Sequence, residues 1–102
     1  MTLDTVYSIN GVPIRLSEER WDHIVDKRPY MLRYYDAMLD AIQQPKYILR
    51  GERGTLVAVQ PLARSNYLQV VYRELGTKDG FVITAMVTQK INKKRIVWRE
   101  GN

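Results

Sequence analysis

The chain has 102 residues, a hydrophobic fraction of 45% and a charged fraction of 26%, the size and balance of one globular domain with a modest core. It has no cysteine and one histidine, which excludes disulfides, thiolate nucleophiles and cysteine metal sites and argues against a zinc or iron centre. The net charge of +5 is unevenly spread: residues 1–51 carry seven basic and seven acidic side chains, residues 52–102 nine and four.

A one-sided positive field attracts polyanions, with nucleic acid the commonest, although the same charge also serves a protein that merely stays soluble. No stretch approaches 18 consecutive apolar residues, the length of a membrane-spanning helix. The opening MTLDTVYSIN lacks the basic patch and apolar run of a secretory signal. The expectation is a single cytoplasmic domain over residues 1–102, with no cofactor, no metal and no membrane partner.

In chain order, Val6–Asn10 and Val12–Leu16 flank Asn10-Gly11, a signal for a two-residue hairpin with positive φ at both turn positions. Ser17 reads as an N-cap, with Glu18 and Glu19 well placed against the helix dipole. Trp21, Ile24 and Val25 then give a short amphipathic helix that Pro29 closes. A second helix is predicted from about Tyr30 to Ile42, with Met31, Tyr35, Met38 and Ile42 in one stripe widened by Leu32 and Leu39.

Beyond Gln43-Gln44-Pro45 the period changes to two. Tyr47–Arg50, Thr55–Gln60, Tyr67–Leu75 and Phe81–Thr88 read as strands of a meander, and Ile96–Trp98 as a short last strand after the basic turn INKKR. The fold class expected is therefore α+β: an N-terminal hairpin and two helices packed on one face of a four-stranded antiparallel sheet. Alternation puts Gln69, Arg73, Thr84 and Thr88 on the helix-free face, where they form either a shallow phosphate site or an ordinary solvated surface.

The lone histidine, in SEERWDHIVDKRPY, lies on the opposite side of its helix from Trp21 at about 100° per residue, with Arg20 and Lys27 on neighbouring turns. It is either a solvated surface imidazole or a general base beside a bound phosphodiester. RNA brings its own nucleophile, the 2′-hydroxyl, so cleavage needs only a base, an acid and cations to hold the phosphate.

Two stretches, RWDHIVDKRP with IQQPKYI after it and VVYRELGTKDGFVITAMVT ending in IVW, resemble phage and bacterial proteins of the barnase–EndoU–colicin–RelE-like nuclease group over roughly residues 14–98. That resemblance implies a RelE-like, metal-independent endoribonuclease, often a toxin with an antitoxin partner. It implies a catalytic set of His23, Arg28, Arg73 and Thr84, with Arg28 standing where relatives carry a second histidine. An arginine there can bind phosphate but cannot donate a proton at neutral pH. RNA is the expected partner, its backbone followed by Lys27, Arg50, Arg53, Arg64, Lys93, Lys94 and Arg95. The competing expectation is a non-catalytic basic module of the same fold that binds nucleic acid or protein.

Overall fold

A computed structural model describes residues 1–101 of the chain. A hairpin of β1 (Thr2–Tyr7) and β2 (Pro13–Ser17) leads into α1 (Glu18–Lys27), a 3₁₀ segment (Pro29–Tyr34) and α2 (Tyr35–Gln43). Strands β3 (Tyr47–Arg50), β4 (Leu56–Pro61), β5 (Tyr67–Glu74), β6 (Gly80–Thr88) and β7 (Ile96–Arg99) follow. All seven strands form one sheet, in the order β1-β2-β6-β5-β4-β3-β7.

The class is α+β, but the expected four-stranded antiparallel sheet is wrong: the sheet has seven strands and is mixed. Two elements cause the difference. The N-terminal hairpin does not pack as a separate unit, because β2 joins β6 in parallel where Arg15 meets Phe81. Ile14 and Leu16 are fully buried while Arg15 between them is exposed, so β2 has one apolar face and shares the core under the helices. Gly80 permits the joint, since a Cβ there would lie 2.6 Å from both the Arg73 carbonyl oxygen and Ile14 Cδ1. At the other end, β7 pairs with the outer side of β3 and not with β6, its predecessor in sequence.

The hairpin turn also differs from the two-residue type. A turn closes over Ser8–Gly11 through Gly11 N–H donating to the Ser8 carbonyl at 2.9 Å, and of the Asn10-Gly11 pair only Gly11 has positive φ, at 75°. A turn followed by a left-handed glycine is the longer hairpin connection, which needs no positive φ at asparagine.

α1 forms as its sequence dictates. The Ser17 side chain accepts from Arg20 N–H at 3.1 Å, and Glu18 and Glu19 occupy the first turn. The predicted second helix is split, its first part wound as 3₁₀ and only Tyr35–Gln43 as α-helix. Met31, Met38, Leu39 and Ile42 are nevertheless buried, against Leu68, Val70 and Tyr72 of β5 and Val82 and Ala85 of β6. Leu32 faces solvent, because the tighter turn takes it off the stripe.

The opposite face of the sheet is not bare. Leu49, Val57 and Val59 are buried there, with Tyr47, Tyr67, Val71, Ile91 and Ile96 packed around them. The connection from β6 to β7 must pass over β5, β4 and β3 to reach the far edge, and Ile91 in that strap covers part of this second cluster. The face expected to be open is therefore half-roofed by its own chain.

Candidate nucleic-acid interface

Strand alternation places Gln69, Val71 and Arg73 of β5 on the strapped face, opposite Leu68, Val70 and Tyr72 in the main core. Their neighbours are Leu49 from β3, Thr55 and Val57 from β4, and Ile83 from β6. With the Gly51–Thr55 turn at one end and Lys90–Asn92 of the strap above, these residues enclose a cleft of about 660 Å³. Arg53, Arg73, Lys90 and Arg95 line it, with the Arg50 backbone and a single carboxylate, Glu52. The ion pairs among the described residues, Arg15–Asp79 and Lys46–Glu100, lie elsewhere. A concave surface with uncompensated cations over apolar walls focuses positive potential.

The turn is shaped to present these cations. Gly51 N–H donates to the Thr55 carbonyl at 2.9 Å, and Thr55 Oγ1 donates to the Glu52 carbonyl at 2.7 Å. Arg53 at the tip is left-handed, with φ 54°, an unusual conformation for a side chain other than glycine or asparagine. A Cβ on Gly54 would lie 3.6 Å from Arg73 Nη1, so the Arg73 guanidinium rests against this turn.

Arg95 has a different task from the one expected. Its Nε donates to the Arg50 carbonyl at 2.7 Å and its Nη2 to the Gly51 carbonyl at 3.2 Å, tying the strap to the end of β3. Arg50 thus serves the cleft through its backbone, while register with Leu56 turns its side chain toward the helix side. Lys93 and Lys94 are exposed on a 3₁₀ turn at the cleft mouth, capped by the Asn92 side chain accepting from Lys94 N–H at 3.1 Å. Arg64 is also left-handed, but it sits at the far end of β4, one six-residue strand or about 20 Å from the Gly51–Thr55 turn. It does not belong to the cleft.

The expected catalytic set is not gathered at this cleft. Arg73 lines it. Thr84 is on the same face, opposite Val71, but Ile83 takes the lining position. The register shifts between Val71 and Tyr72, a bulge that sends Val82 to the main core and Phe81 to the side of Arg73. Simple alternation from Ala85 would put Phe81 and Ile83 in the main core, and the bulge prevents it. His23 and Lys27 are exposed on α1, in the layer on the other side of the sheet, and Arg28 is the half-buried C-cap of that helix.

α1 does run beside the part of β6 that β2 leaves unpaired. Arg20 borders a small hollow with Phe81 and Val82, and the Tyr30 hydroxyl accepts from Val87 N–H at 3.2 Å. His23 and Lys27 fall between those two anchors in the chain and are exposed.

Tyr72, Arg73 and Glu74, consecutive in β5, divide between the two faces. Tyr72 is fully buried, and burial first, then the charge of Glu74, pushes its phenol well above the ordinary range. Its hydroxyl is the one buried side-chain polar atom without a partner among the described residues. Glu74 accepts from Ser8 Oγ at 2.5 Å and from Asn10 Nδ2 at 3.1 Å, anchoring the hairpin turn. Lys90, Thr55 and Asn92 escape sequence reasoning altogether. The isolated apolar Ile91 within QKINKKR is the one signal that this segment packs on the sheet.

Among the described residues no three His, Cys, Asp or Glu side chains come together as metal ligands, and no helix is long and apolar enough to cross a membrane. Comparison with protein-family models, with curated proteins and with solved structures finds no match.

Proposed function

We propose that the chain binds RNA through the cationic cleft on the strapped face of its sheet. One observation carries this reading: Arg53, Arg73 and Lys90 converge on one concavity with no ion pair among the described residues to neutralise them. Like charges held together repel, and an incoming phosphate relieves that cost while releasing counterions. Lys93 and Lys94 at the mouth extend the track along a backbone.

The test is binding of labelled RNA by fluorescence anisotropy across a salt series. Three phosphate contacts give a slope of log affinity against log salt of about −2 on a single strand. A flat salt response, or no binding at low salt, overturns the reading.

A second reading, metal-independent cleavage with His23 as the acid–base residue, is favoured by the path of α1 along the unpaired edge of β6, the strand that carries Thr84. In it the RNA 2′-hydroxyl gives its proton to His23 and attacks the phosphorus, the bond to the 5′-oxygen breaks and that oxygen takes the proton back, leaving a 2′,3′-cyclic phosphate. Arg73, on the opposite face of the sheet, holds only a neighbouring stretch of backbone. Arg28 supplies charge only. Incubation with total RNA in EDTA decides it: cyclic-phosphate ends that vanish in His23→Ala support cleavage, and intact RNA at saturating protein leaves binding alone. A toxin role with an antitoxin partner goes with this second reading and is checked by arrest of growth on expression.

A further inference from the structure

We infer that the cleft holds one unpaired nucleotide, so that the protein takes single-stranded RNA in preference to duplex; this rests on the RNA-binding reading above. A track for phosphates alone needs cations and nothing more. Here the cations stand around an aliphatic floor of Leu49, Val57, Val71 and Ile83, with Ile91 of the strap as a wall. That floor spans β6 to β3, three interstrand spacings or about 14 Å, too confined for a duplex to settle into. The bases of a duplex are stacked inside it and cannot reach such a surface, whereas an unpaired base can be laid on it. A volume of about 660 Å³ falls in the range of small-molecule sites. Gln69, Thr55 and Asn92 are the neutral hydrogen-bonding groups beside the floor.

The phosphate of that nucleotide belongs at the Gly51–Thr55 end. Arg73 rests against the turn there, and Arg53 is held at its tip in a backbone conformation that glycine or asparagine adopts more readily. Nothing in the turn uses the Arg53 side chain: its hydrogen bonds run through Gly51, Glu52 and Thr55. An arginine kept where the backbone prefers glycine points to a task for the guanidinium outside folding.

The experiment compares one labelled RNA strand alone with the same strand annealed to its complement, at fixed salt, using the intact chain. The single strand binds about ten-fold tighter or more, and a nucleoside monophosphate displaces it at lower concentration than inorganic phosphate. Ile91→Ser lowers the preference for the single strand with the salt slope unchanged. Arg53→Gly folds as the parent does and binds the strand about three- to ten-fold more weakly. Equal affinity for strand and duplex overturns the nucleotide inference and leaves the RNA-binding reading standing. No binding to either overturns both. Parent-like binding by a folded Arg53→Gly overturns the placing of the phosphate.

Discussion

The two faces of the sheet are built on different terms. Under the helices, Ile14, Leu16, Ile24, Met31, Met38, Ile42, Leu68, Val70 and Tyr72 are all fully buried. Under the strap three apolar residues are buried, Leu49, Val57 and Val59, and the apolar surface continues into a cleft rimmed by cations that form no ion pair among the described residues. The helix side is closed by elements that bury whole stripes. The strap side is closed by one seven-residue connection, tied to the end of β3 by Arg95 and to the end of β6 by the Thr88 hydroxyl donating to the Lys90 carbonyl at 3.0 Å. A face covered so lightly contributes less to stability, and its retained charges are more reasonably explained by what they bind.

Stability measurements are the strongest way to break this contrast. Met38→Ala leaves a cavity in the main core and costs about 2–5 kcal/mol, a large share of the stability of a domain this size. Val59→Ala, equally buried but under the strap, costs about 2 kcal/mol or less, because the strap can settle onto the smaller side chain. Urea denaturation checks both. Equal losses would mean that the strapped face is a second core of the same rank.

Binding measurements sharpen the contrast from the other side. Arg73→Ala leaves the urea midpoint within about 0.5 kcal/mol of the parent and weakens RNA binding about ten-fold or more. Met38→Ala, at concentrations and temperatures where it is folded, leaves affinity unchanged. A loss of stability in Arg73→Ala without a loss of affinity would make the cleft structural.

How far the sequence foretold these faces depends on the kind of signal. Ser17 as N-cap, α1 and the bounds of β3 were legible because capping and periodicity are local. Strand alternation rightly put Gln69, Arg73, Thr84 and Thr88 away from the helices, and Gln69 Nε2 does donate to Thr88 Oγ1, at 2.7 Å. The bulge near Ile83 was not legible: one extra residue inverts a period-two assignment, and no glycine or proline at 83–84 marks it. The seven-stranded order was hidden for a deeper reason. The β2–β6 pairing rests on the single bridge from Arg15 to Phe81, and the position of β7 depends on a strap whose only apolar residue is Ile91. The cleft follows from that strap, so its lining by Lys90 and Asn92 could not be read from local pattern.

The main core contains one fault that the contrast exposes. Tyr72 is buried with its hydroxyl unpartnered, whereas polar groups of the strapped face are bonded or wet. Tyr72→Phe removes the stranded hydroxyl with little change of shape and raises stability by about 1 kcal/mol. A fall in the urea midpoint would show that the hydroxyl is satisfied in solution.

The smallest effect concerns a cation of the strapped face that is neutralised. Arg15 lies on that face beside Phe81, yet its Nε and Nη2 donate to Asp79 at 2.9 and 3.2 Å. That hydrogen bonding holds the Asp79 carboxyl below its usual 3.8. A carboxylate depressed in the folded state stabilises the fold at pH above its unfolded value, and that contribution is lost as pH falls through the lower folded value. Asp79→Asn should therefore lower the urea midpoint slightly at neutral pH, with the difference closing as pH falls through the lowered folded value and shrinking in high salt. Both side chains are nearly half exposed, at 44% and 46%, so screening keeps the effect small. The same substitution unpairs Arg15 and widens the cationic surface, so RNA affinity should rise by about two-fold at low salt. If affinity instead falls, the cleft draws on Asp79 and the division between paired and unpaired cations on this face is wrong.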